Sequence, residues 1–151
     1  MNSTRHADSF LELLAYKKSR ELARKVFEIS AAFPTEERYA LTDQMRRASR
    51  SIGAQIAEAW GRRRYQKHFI SKLTDADSEQ YEVRHWAVIA YDSGYLSREV
   101  AGDVWKDCGE IGRMLGGMIT KAHLFWGETP YQLGETAEEY LIGNSDFDPW
   151  Q

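Results

Sequence analysis

Three prolines, at positions 34, 130 and 149, are the only ones in the chain, and on both sides of the first, up to the second, the apolar residues recur every three or four positions. That period restricts the chain to amphipathic helices. The first stripe, over about 9–33, is Ala15, Ser19, Leu22, Val26, Ile29 and Phe33; Ser9 can cap its start, and Pro34 ends it by excluding the helical conformation at Phe33. A second, over about 36–60, is Leu41, Met45, Ala48, Ile52, Ile56 and Ala59, stopping near Gly61. The third, about 66–92, is Phe69, Leu73, Ala76, Gln80, Val83, Ala87 and Ala90, followed by the turn pair Ser93-Gly94. The fourth, about 97–126, starts at a Ser97 cap and runs through Val104, Cys108, Ile111, Leu115, Met118 and Ala122. Gly109, Gly112, Gly116 and Gly117 interrupt it, each costing about 1 kcal/mol against alanine inside a helix, which points to close packing or a pliable helix.

No alternation supports a strand. Four helices of this length joined by short connections predict an all-α fold, an antiparallel up-down four-helix bundle over 9–126. Residues 127–151 form an acidic tail with six Asp or Glu, no Lys or Arg, and several aromatics, among them Tyr131, Tyr140, Phe147 and Trp150. A disordered tail is poorer in aromatics, so this one is expected to dock on its own bundle or on a neighbour. At 151 residues the chain reads as one domain with that tail. The single cysteine, Cys108, excludes an internal disulfide, and neither a signal peptide nor an apolar run long enough to span a membrane is present. A cytoplasmic protein with no membrane role is the expectation.

The second helix resolves into faces. Beside its apolar stripe lies a polar shoulder of Gln44, Ser51, Gln55 and Glu58, to which Glu82 of the third helix can add a structural polar network at a half-buried seam. Two carboxylates there would also allow a metal site, with Glu58 meeting Glu82 and His85 three residues further on. Bundle di-metal sites use Glu-x-x-His on two helices, and here the spacing occurs once, so neither metal nor cofactor is expected. Cys108 falls in an apolar stripe, and no nucleophile motif or glycine-rich phosphate loop is present. An enzyme is not expected.

Charge is unevenly spread. Residues 1–74 hold 15 Lys or Arg against 8 Asp or Glu, whereas residues 75–151 hold 5 against 15. Over 44–74 there is one acid, Glu58, against eight bases. Arg46, Arg47, Arg50, Arg62, Arg63, Arg64 and Lys67 are therefore candidate contacts to RNA or DNA phosphates, with Trp60, Tyr65 and His68 available to stack on bases. The alternative is a protein-interaction scaffold whose basic region takes an acidic protein segment, the chain's own tail included. The back of the second helix, Gly53, Ala57 and Trp60, is small enough for close approach and is a candidate subunit interface.

Over about 10–122 the chain resembles the four helix bundle protein family, also called the 23S rRNA intervening-sequence proteins. The resemblance rests on Leu41-Thr42-Asp43-Gln44-Met45-Arg46-Arg47-Ala48, Ser51-Ile52, and Gln55-Ile56-Ala57-Glu58-Ala59, with Phe33-Pro34, Ala76 with Glu82, Asp92-Ser93-Gly94-Tyr95-Leu96 and Arg113-Met114-Leu115 in support. Gln55 stands where the family has Asn, Ala59 where it has Gly, and Ser78-Glu79 where Gly-Ser is common. The resemblance implies a left-handed bundle that assembles into a ring, a homopentamer, in bacteria, encoded in many members within rRNA-gene insertions and of unassigned activity. It also implies, through a related branch that assists diversity-generating retroelements, a reverse transcriptase and RNA as candidate partners.

Overall fold

A computed structural model describes residues 7–125 and Trp150. Four α-helices follow one another, α1 (Leu14–Ser30), α2 (Asp43–Gly61), α3 (Gln66–Asp92) and α4 (Arg98–Thr120), with no strand among the described residues. Expectations for the tail before Trp150 lie outside the described residues.

The helix ends follow local chemistry. Ser97 caps α4, its side chain accepting the Val100 N–H at 3.2 Å. Past α3, Gly94 adopts φ +79°, a conformation only glycine takes without strain. That turn returns the Tyr95 N–H to the Ala90 carbonyl at 2.9 Å and the Gly94 N–H to Tyr91 at 3.0 Å, the paired bonds of a Schellman motif.

Three boundaries depart from the sequence reading. Ser9 caps a separate 3-10 turn, Phe10–Glu12, and extended Leu13 then breaks the helix, so α1 starts at Leu14. The break turns the Leu13 side chain inward, leaving it 2% exposed. The expected second helix opens as a 3-10 turn, Thr35–Glu37, then a π turn, Arg38–Thr42, before α2 proper. Finally, α4 stops at Thr120 and a 3-10 turn, Ala122–Phe125, follows. This tighter turn sets the Phe125 ring 5.2 Å from Phe69 at the start of α3.

Each helix packs on its sequence neighbours, and α1 also packs on α4, closing a four-membered ring. The contacts give the directions. Arg47, early in α2, meets Glu82, late in α3, while Glu58, late in α2, meets Lys72, early in α3. On the other flank, Arg46 reaches Phe27 and Gly53 approaches Ser19. Residues late in one element therefore face residues early in the next, the register of antiparallel neighbours. The stripes named above form the core: Met45, Ala48, Ile52, Ile56, Phe69, Leu73, Val83, Ile111 and Leu115 are fully buried. Burying each large aliphatic side chain contributes about 1.5–3 kcal/mol, which holds the ring closed.

Candidate nucleic-acid interface

The candidate basic residues fall into two groups at opposite ends of α2. Arg46, Arg47 and Arg50 lie in its first turns, and Arg62, Arg63, Arg64 and Lys67 lie at the α2–α3 turn. At 1.5 Å per residue the groups are about 20 Å apart, so they form two patches.

The first group is engaged within the bundle. Arg46 donates from Nε to Ser30 Oγ at 2.8 Å and from Nη2 to the Phe27 carbonyl at 3.2 Å. Its guanidinium lies 4.5 Å from the Phe27 ring centroid, with Arg50 over the same ring at 5.8 Å. This cation–π cluster explains how Phe27, 49% exposed, is tolerated on a surface. Arg47 pairs with Glu82 at 2.7 Å and Glu79 at 3.7 Å.

The second group is differently placed. Arg63 is committed, donating to the Trp60 carbonyl at 2.9 Å and stacking 4.2 Å from that indole. Arg62, Arg64 and Lys67 are exposed and pair with no carboxylate among the described residues. The sole acid in 44–74, Glu58, is held instead by Lys72 at 3.0 Å. Tyr65 is 67% exposed, with the His68 ring 6.1 Å away edge-on. The bundle therefore ends in a tip where cations and flat rings alternate.

The polar shoulder divides as the arginines do. Ser51 joins Arg47, Glu79 and Glu82 at one end. Gln55 and Glu58 join Lys72 at the other, Lys72 Nζ lying 3.5 Å from Gln55 Oε1. Gln44 is half-buried and belongs to neither group. Glu79, which the sequence reading did not place in the network, joins it, while the neighbouring Ser78 bonds back to the Thr74 carbonyl.

Burial, the larger effect, pushes the Glu79 carboxyl above its ordinary value, and the adjoining Glu82 pushes it the same way. Glu82 also feels burial, but hydrogen bonds from Arg47, Glu79 and Trp86 outweigh it and hold its carboxyl below the ordinary value. The pair thus splits into a carboxyl that keeps its proton longer and one that gives it up earlier.

The two carboxylates that a metal site would need do not meet. Glu58 and Glu82 occupy opposite ends of the α2–α3 seam, each with its own cation, and ten residues of α3, about 15 Å, separate Glu82 from Lys72, the partner of Glu58. His85 lies against Trp86 instead, ring centroids 4.7 Å apart. No cluster of metal-binding side chains occurs among the described residues. Burial pushes the Cys108 thiol up to about 12, which keeps it protonated and a poor nucleophile.

Of the candidate subunit face, Gly53 and Ala57 lie beside α1, and Trp60 carries the Arg63 guanidinium. A Cβ at Gly53 would stand 3.2 Å from Ser19 Oγ and 3.4 Å from the Tyr16 ring, so the small residue admits α1 of the same chain. Beyond that contact Gly53, Ala54 and Ala57 line one wall of a shallow groove of about 270 Å³, with Phe10 and Tyr16 opposite.

On α3 and α4 a second seam emerges that the sequence reading noticed only as glycines. Arg84 lies across α4 because residue 109 has no side chain: a Cβ there would come within 2.7 Å of Arg84 Nη2. The same guanidinium sits 4.8 Å above the Trp105 ring. Gln80, buried and donating to Asp77 at 2.9 Å, faces Gly112.

A helical bundle with an exposed basic and aromatic tip is the class of protein this architecture defines. The profile of the family described as 23S rRNA-intervening sequence protein matches residues 11–117. The chain belongs to that family. Among solved structures it is similar to a protein of unknown function from the S23 ribosomal protein family of Bacteroides thetaiotaomicron, with 28% identity, a TM-score of 0.64, and coverage of 71% of this chain and 96% of that one. No curated protein matches it. No helix among the described residues is long and apolar enough to cross a membrane.

Proposed function

We propose that this protein is a non-enzymatic, homo-oligomeric accessory of RNA or a ribonucleoprotein, acting in the cytoplasm and gripping single-stranded phosphate backbone at the α2–α3 tip. One observation supports this above the rest: Arg62, Arg64 and Lys67 stand exposed within six residues, unpaired with any described carboxylate, beside the exposed Tyr65. Phosphates neutralise such cations and release counterions, and bases stack on the neighbouring rings. Arg46, Arg47 and Arg50 belong to the bundle in this reading and contribute long-range field only.

Assembly into a ring, with five copies as the resemblance implies, would set several tips on one rim. Each tip alone is small, and linked sites raise avidity well beyond any one of them. The groove at Gly53 and Ala57 is the surface offered for that contact.

The test is anisotropy of a labelled single-stranded RNA at about 50 and about 200 mM salt, a range over which phosphate contacts weaken strongly. Binding that weakens with salt supports the reading, and no binding at the lower salt rejects it. Light scattering on the same sample reads the mass, and a monomer rejects the ring.

A further inference from the structure

Trp150 is the one described residue beyond Phe125, and it is seated in a cleft between α3 and α4. It is only 8% exposed there. Tyr91 Oη donates to its main-chain carbonyl at 3.0 Å. The Trp150 ring meets Tyr91 at 5.3 Å and 77°, and Trp105 at 5.8 Å and 81°, both edge-to-face. The floor is Gly102, where a Cβ would lie 3.7 Å from the indole Nε1. The Arg84 guanidinium also lies over the Trp105 ring. Aromatic rings in such crossed pairs attract beyond what area burial gives, and the tyrosine hydroxyl adds a main-chain contact that fixes orientation.

We propose that Tyr91, Gly102 and Trp105 form a docking cleft for a tryptophan-bearing segment, filled in cis by Trp150 of the same chain. Reach permits the cis arrangement. Phe125 ends the bundle against Phe69, at the tip end, whereas the cleft lies by Tyr91 at the other end of α3. The positions of Phe69 and Tyr91 are about 33 Å apart along the helix. Residues 126–149 could extend to about 80 Å, more than twice that span. The recorded contacts of Trp150 are with Tyr91 of α3 and with Gly102 and Trp105 of α4, none of them in the basic stretch 44–74.

The experiment reads the exciton couplet that two tryptophan rings at this separation give in far-ultraviolet circular dichroism. Trp150→Ala and Trp105→Phe should each abolish the couplet, and Gly102→Leu should do so by filling the floor. Trp86→Phe should leave it, and the helical signal should persist in all four. Retention of the couplet in Trp150→Ala or Trp105→Phe overturns the docking, as does its absence from the unaltered protein. Source is settled by co-refolding Trp150→Ala with Trp105→Phe. In cis neither chain holds both rings and the couplet stays lost; its return would show that Trp150 is supplied by another copy and overturn the cis assignment.

Discussion

The two basic clusters of α2 are similar in composition and opposite in use. Arg46 is spent on a buried serine, a backbone carbonyl and an aromatic ring, all from α1, and Arg47 on two carboxylates of α3. Arg62, Arg64 and Lys67 have no such partners among the described residues. The reason is position. A residue in the first turns of α2 has α1 on one flank and α3 on the other, whereas Arg62, Arg64 and Lys67 stand exposed where α2 gives way to α3. An arginine cluster in sequence therefore reports a binding surface only where the fold leaves it without neighbours.

That contrast can be broken by substitution. Arg46→Ala should have the largest effect on stability, lowering it by about 2 kcal/mol, because charged hydrogen bonds and the cover over Phe27 are lost together. A urea titration with unchanged slope measures it. Arg47→Ala should cost less, up to about 1 kcal/mol, since its side chain is half-exposed and the pair is screened.

The acid pair at Arg47 sharpens the contrast through pH. Glu82, held below its ordinary value, contributes stability that is full above that value and is lost as pH falls through the lowered one. Glu79, raised, works in the opposite sense, contributing below its ordinary value and losing that as pH rises through the raised one. Glu79→Gln should therefore raise the melting temperature near neutral pH and leave a steeper loss on acidification. A gain confined to acid would contradict the assignment. At the tip, where these three cations pair with no carboxylate among the described residues, Arg62→Ala/Arg64→Ala/Lys67→Ala should shift stability by no more than about 0.5 kcal/mol, the smallest effect of the series.

Much of the scaffold was legible. The bounds of α3 follow from Phe69 through Ala90 and the Ser93-Gly94 stop, because a 3.6-residue stripe and a left-handed glycine are local facts. The opening of the second helix was not, since a stripe through Leu41 does not distinguish bonding to the third, fourth or fifth residue. Of the candidate site, the residue types were legible and their use was not. Ser30 and Phe27 lie sixteen and nineteen positions from Arg46, and which pair meets depends on how α1 and α2 slide together. The same holds for Glu58, which spacing allowed to face Glu82 and which Lys72 takes instead.

The most direct measurement is the salt dependence of single-stranded RNA affinity, compared between the unaltered protein and the two cluster variants. On an RNA too short to reach two tips, three phosphate contacts give a log–log slope of about −2, and all seven cations of one chain would give about −5. A slope near −2 that vanishes in Arg62→Ala/Arg64→Ala/Lys67→Ala is the expected result. A slope near −5, or one that survives in that variant and disappears in Arg46→Ala/Arg47→Ala/Arg50→Ala, would place the binding surface on the wrong end of α2 and contradict the reading.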